Sequence, residues 1–250
     1  MWVRTAAVLL LGVVTSFLAR AAEPEKDDPP KEGRVIERLS GDSEVEAEPQ
    51  PDGSTFYRNE VRRVTTPLPE GYPRPTPPEV VEVKSYPEVR RATFAGQGQG
   101  QGPNGMKNSA TGFWPLFGHI KSRGIAMTAP VEIEYEGLEP GDDQKIDGWN
   151  MAFLYRSKQT GPTESYANIT VEDAKPVTVV ATGIAGDATR EAIDTALQQL
   201  QKSLAESTDW QPAGDPRVLG YNGPDVPAAE RWSEVQLPVT KKPAAAEQDE

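Results

Sequence analysis

The 250-residue sequence has no cysteine and a single histidine, His119. Without cysteine there is no structural disulfide, no C-x-x-C-H site for covalent haem, no thiolate zinc site and no lipid-bearing N-terminal cysteine. One histidine cannot supply an H-E-x-x-H metal helix. No G-x-S-x-G elbow and no thiol nucleophile is present either, so no catalytic residue stands out. Positive charge is also scarce: 26 Lys and Arg against 38 Asp and Glu leave a net charge of −12. A surface that acidic repels phosphate backbones and anionic lipids, which excludes nucleic acid as an expected partner. Beyond residue 18 no apolar run approaches the roughly 20 residues that a membrane span needs.

The one long apolar run lies at the start. Arg4 precedes a 13-residue apolar stretch, Ala6 to Leu18, and Ala19-Arg20-Ala21 fits an A-x-A cleavage site. Residues 1–21 therefore read as an export signal, and the expected location is a bacterial periplasm or the extracellular space. No membrane span is expected after cleavage. Residues 22–78 are acidic and proline-rich and are expected to be a largely disordered leader, with short strand candidates at Arg34–Leu39 and Thr55–Val64. Residues 241–250 read as a disordered tail.

Between these ends one element order occurs twice. Strand Val80–Phe94, helix Lys107–Ile120 and strands Ile125–Tyr135 and Trp149–Tyr155 form the first β-α-β-β unit. Strand Val177–Ile184, helix Ala188–Ser207 and strands Val218–Tyr221 and Arg231–Val239 form the second. In the second helix Ile193, Ala196, Leu197, Leu200 and Leu204 make one apolar stripe, with Asp187 as candidate N-cap. From Ile125 to Tyr135 the odd positions are apolar while Thr128, Glu132 and Glu134 lie on the even side, a strand with one buried and one wet face. The expected fold is α+β, two βαββ units forming a distorted antiparallel β-barrel or curved sheet with two helices, over residues 79–240.

The string Ile125-Ala126-Met127-Thr128-Ala129-Pro130-Val131 resembles the signature of the SOUL haem-binding family. Val81 to Arg91 resembles that family's opening strand, Phe113 to Ile120 its first helix, and Leu219–Asn222 with Arg231–Val235 its closing hairpin. The resemblance implies the same duplicated α+β fold and non-covalent binding of haem or another tetrapyrrole; a monomer that does no chemistry is the expectation that goes with it. Haem needs an apolar slot, cations for its propionates and often an axial donor. Phe113, Phe117 and Ile120 are the candidate slot, with Lys121 at the rim and Met127 on the apolar side of its strand. His119 is the candidate iron ligand, although the family more often has tyrosine there. Lys107, Arg123, Arg90 and Arg91 are further cations near in sequence, and for each of them, as for Lys121, a solvated charge is the stronger reading.

Two other readings stand beside this one. Glu234, next to Trp232 on the last strand, could polarise the cleft of a small-molecule effector-binding or hydrolase module. The domain could instead be a non-ligand interaction module. Gly100 to Gly105 formally matches G-x-G-x-x-G but sits in a Gly-Gln repeat with a proline inside it, and reads as a flexible insertion rather than a dinucleotide loop.

Overall fold

The computed structural model describes residues 32–97, 106–141 and 146–243. The expected export signal, the first ten residues of the leader, most of the Gly-Gln repeat and the last seven residues lie outside these. The strands and helices in chain order are β1 (Arg34–Ser40), β2 (Glu46–Pro49), β3 (Thr55–Asn59), β4 (Arg62–Val64), β5 (Val81–Tyr86), β6 (Val89–Gln97), α1 (Met106–Ser122), β7 (Val131–Glu136), β8 (Gly148–Leu154), β9 (Glu164–Tyr166), β10 (Ile169–Ala174), β11 (Val177–Ala185), α2 (Arg190–Glu206), β12 (Trp210–Pro212), β13 (Arg217–Gly220) and β14 (Trp232–Lys241).

The architecture is α+β: a mainly antiparallel sheet carries both helices. Its order is β1-β5-β11-β14-β13-β7-β8-β6-β10-β9, with β12 added on β14, and β2-β3-β4 form a separate small sheet. The sheet is open, ending at β1 and β9, and does not close into the expected barrel. The single strand expected over Val80–Phe94 is two strands. Pro87 interrupts it, and the halves separate: β5 pairs with β11, β6 with β8 and β10. Pairing follows one pattern on both sides of the central β7–β13 pair, since β6-β8-β7 mirrors β11-β14-β13.

Helix α2 buries the stripe its sequence marks: Ile193, Ala196, Leu197, Leu200 and Leu204 all face the core. Each large side chain so buried contributes on the order of 2 kcal/mol. Thr189, not Asp187, caps the helix, accepting from the Ala192 N–H. Asp187 instead pairs with Arg231 at 2.6 Å. Helix α1 approaches the sheet closely at Gly112, where a Cβ would stand 3.0 Å from the Trp149 ring.

The leader departs most from expectation. β1 is an edge strand on β5, and residues 65–79 run as a strap across the sheet face that carries no helix. Leu68, Tyr72 and Thr76 of the strap are buried. Its prolines cannot join a ladder, so its anchors are individual bonds: Ala129 N–H to Pro67 O, Glu70 N–H to Arg156 O, and Trp232 Nε1 to Thr76 O. Gly183 admits the strap, because a Cβ there would lie 2.3 Å from Thr76 O. The scarcity of apolar residues in this stretch predicts disorder; three well-placed side chains and a glycine on the facing strand overrule it.

The strand expected from Ile125 begins only at Val131. Before that the backbone and side-chain bonds point elsewhere: Ile125 N–H to Ile120 O, Ala129 N–H to Pro67 O, and Thr128 Oγ1 to Leu154 O at 2.6 Å. The even side of the strand is wet only towards its end, at Glu136 and in part at Glu134. Glu132 is buried, held by Arg91 at 2.5 Å and Arg217 at 2.9 Å, because the helix-free face has its own covering layer.

Candidate functional site on helix α1

Helix α1 turns Leu116 and Ile120 into the core and leaves Trp114, Pro115, Gly118 and Lys121 on its outer side. Trp114 is 64% exposed, an unusual position for the largest apolar side chain. Its ring meets Phe113 edge-on at 5.4 Å and Phe117 at 6.0 Å, while Phe113 stacks on Phe117 at 5.9 Å and abuts Phe153. The result is an aromatic ridge anchored in the core and ending at the surface. Lys121 Nζ sits 5.9 Å from the Phe117 ring and has no ion pair among the described residues.

Beside the ridge a cleft of about 350 Å³ runs between α1 and the β9–β10 hairpin. Pro115, Gly118 and His119 form its helical wall, and Tyr166 and Ile169 face them. A Cβ added at Gly118 would meet nothing within 4 Å, so the helix surface is flat and open there. Arg123 closes one end, paired with Glu164 at 2.8 Å and 5.7 Å from the Tyr166 ring.

His119 is only 5% exposed. Its Nε2 is 2.9 Å from Tyr155 Oη, and its Nδ1 is buried with no partner among the described residues. Burial, reinforced by the Arg123 charge and opposed by Glu164, lowers its pKa and keeps the ring neutral. A neutral ring has a lone pair, but one nitrogen is engaged and the other is walled in. The imidazole therefore does not offer an iron ligand in this arrangement. Trp114, Phe117 and Lys121, by contrast, suit an apolar ring bearing acidic groups.

The sequence candidates thus divide. Phe113, Phe117 and Lys121 lie at or behind the ridge, and His119 lines the cleft. Ile120 is core, and Met127 packs against that core from the segment leading into β7. Arg90 is clamped by Asp173 through two bonds of 2.8 and 2.9 Å, and Arg91 is bound by Glu132, Glu134 and Glu172 on the helix-free face. The Lys107 side chain lies outside the described residues. Trp114 and Gly118 went unmarked in the sequence; a tryptophan beside Pro115 on a helix's polar side was the available signal.

Glu234 lies on the other face and is sealed. It accepts from Lys84 Nζ at 3.0 Å, Tyr86 Oη at 3.2 Å, Tyr221 Oη at 3.0 Å and the Thr76 N–H of the strap at 2.7 Å. Burial alone would raise its pKa, but the Lys84 charge, the Thr76 N–H and the Gln236 amide reverse the direction and hold it below the usual range. Every approach to this carboxylate is occupied by a donor, and it is fully buried.

Residues 71–238, more than half of the chain, match the SOUL heme-binding protein family. The chain belongs to that family. No curated protein matches it. Among solved structures, the EcmrR–DNA complex aligns at 15% identity with a TM-score of 0.51, over 65% of this chain and 57% of that one. The EcmrR C-terminal domain aligns at 16% identity and TM-score 0.48, covering 65% and 98% of the two chains. A hydrolase from Listeria innocua aligns at 11% and 0.49, covering 67% and 94%. The first of these likenesses shows the fold alone, and this chain spans little more than half the length of that neighbour.

Proposed function

We propose that this SOUL family member is an exported, monomeric protein that holds haem or a related tetrapyrrole on the outer face of α1, without an iron–protein bond and without catalysis. The observation that carries the reading is the exposed Trp114 at the tip of an anchored aromatic ridge, beside the open surface over Gly118. Trp114 and Phe117 supply apolar contact, and Lys121 supplies a cation for a propionate. At about 25 cal/mol per Å², a few hundred Å² of covered apolar surface supports roughly micromolar binding after association costs. Family membership supports the ligand class, and the apolar stretch within residues 1–21 supports export. The engaged Glu234 counts against a glutamate-driven hydrolase.

Titrating haemin into the full chain, followed at the Soret band beside an unrelated acidic protein, tests the proposal. A saturable 1:1 shift that survives His119→Ala is expected. No shift beyond the control at tens of micromolar would leave the interaction-module reading in its place.

A further inference from the structure

Among the described side chains, the cations beside the aromatic ridge are few and lie at one end of it. Trp114 and Lys121 are seven residues apart on α1, two helical turns and roughly 10 Å along one face. Lys121 is exposed in the last turn, with no ion pair among the described residues. Arg123, just past the helix end, is the one cation among the described residues of the neighbouring cleft. Phe94, Pro115, Gly118 and Ile169 make the rest of that lining largely apolar, and no acid is among its described residues.

Arg123 is already compensated. Its Nε and Nη2 both reach Glu164 Oε1, at 2.9 and 2.8 Å, and its Cζ lies 5.7 Å from the Tyr166 ring. Glu164 comes from β9, paired with Val171 of β10. The hairpin that walls the cleft therefore also carries the carboxylate that cancels the nearest guanidinium. Lys121 is left as the one uncompensated cation at the ridge among the described side chains.

That supply of positive charge limits what a ligand can carry. The carbonyl end of α1 adds partial negative charge close to Lys121, and the chain as a whole carries −12. A carboxylate laid on Trp114, Pro115 or Phe117 would lose water without gaining a partner, which is costly. Haem and protoporphyrin IX suit this arrangement, since their propionates share one edge and the opposite edge is apolar. Coproporphyrin III, with a propionate on every pyrrole ring, does not. Whichever edge it turns to Lys121, the opposite edge sets carboxylates on the aromatic ridge.

Resting on the tetrapyrrole reading above, we infer that the α1 site selects macrocycles whose carboxylates lie on one edge and rejects those with carboxylates on every side. The substrate class is thereby narrowed to the apolar tetrapyrroles. Selection comes from the one-ended placement of cationic charge, with Glu164 holding Arg123 out of use as a second anion site.

Titrating the full chain with mesoporphyrin IX and with coproporphyrin III, followed at the Soret band, tests the inference. Neither holds iron, and the ethyl groups of the first are propionates in the second. Mesoporphyrin should bind at least about tenfold more tightly, the effect of stranding carboxylates without partners. Thr111→Lys supplies a cation at the other end of the ridge, at an exposed position two turns before Gly118 on the same face. It should raise coproporphyrin affinity about fivefold and leave mesoporphyrin nearly unchanged. Equal affinities in wild type, or a coproporphyrin affinity indifferent to Thr111→Lys, would overturn the inference and leave tetrapyrrole binding standing. No saturable binding of either porphyrin would remove both.

Discussion

His119 Nε2 and Tyr155 Oη lie 2.9 Å apart, which ties the C-terminal end of α1 to the residue that follows β8. The only imidazole of the chain is therefore a structural bond between helix and sheet. Removing it should leave the Soret position of a bound haemin unchanged, whereas an axial ligand would shift the band and the spin state.

The same pair gives a pH dependence. The His119 pKa is lowered in the fold from its ordinary 6.5, chiefly by burial. Above 6.5 the ring is neutral in folded and unfolded chains alike and costs nothing. As pH falls below 6.5 the unfolded chain takes up the proton first, and stability declines until the lowered folded pKa is passed. Denaturant unfolding at pH 7.5 and 5 should show wild type losing more stability than His119→Gln between the two values. Equal losses would place the ring in a solvated setting.

Gly118 offers a variant that separates ligand from fold. A side chain there meets open space, and replacing glycine inside a helix gains up to about 1 kcal/mol. Gly118→Leu should keep or raise the thermal midpoint while weakening haemin binding about tenfold, since overlap with the ligand costs roughly 1–3 kcal/mol. Unchanged binding would move the site off this helix.

Glu234→Ala leaves Lys84 buried without its partner and should cost about 3–5 kcal/mol in denaturant unfolding. The Glu234 pKa is held below its usual 4.5, so its stabilisation is present above that value and lost as pH falls through the folded pKa. Haemin affinity of the folded variant should not change, which sets this residue apart from a pocket glutamate.

The strap makes a prediction about folding. Tyr72 packs edge-on against Tyr86 at 4.8 Å, and Tyr86 Oη donates to Glu234 of the buried Lys84–Glu234 pair. Tyr72→Ala should cost about 3–5 kcal/mol. A chain beginning at Val80 should lose the cooperative transition that a chain beginning at Glu32 retains. A sharp transition in the shorter chain would return residues 32–79 to the role of a dispensable leader.

What the sequence made legible was periodicity. Ile193 to Leu204 had to be one face of a helix, and the SOUL-like string in Ile125–Val131 pointed to the family. What escaped it was the identity of whatever covers each face. Alternation separated Glu132 and Glu134 from Ile133 and Tyr135, but it cannot tell water from a second layer of protein. Glu82 and Lys84 look like solvent positions and are fully buried, because a strap only a short way upstream supplies Arg74 and Thr76 as partners. Composition averaged Leu68 and Tyr72 away among prolines and acids. Glu234 was singled out, and the donors around it that fix its role come from separated stretches of chain.

The most direct test of the account is a paired titration of the full chain with haemin and with iron-free protoporphyrin IX, each repeated on Gly118→Leu. Capture by Trp114, Phe117 and Lys121 predicts similar affinities for the two macrocycles in wild type and a parallel loss of both in the variant. Tight haemin binding without protoporphyrin binding, or indifference of both to Gly118→Leu, would contradict it.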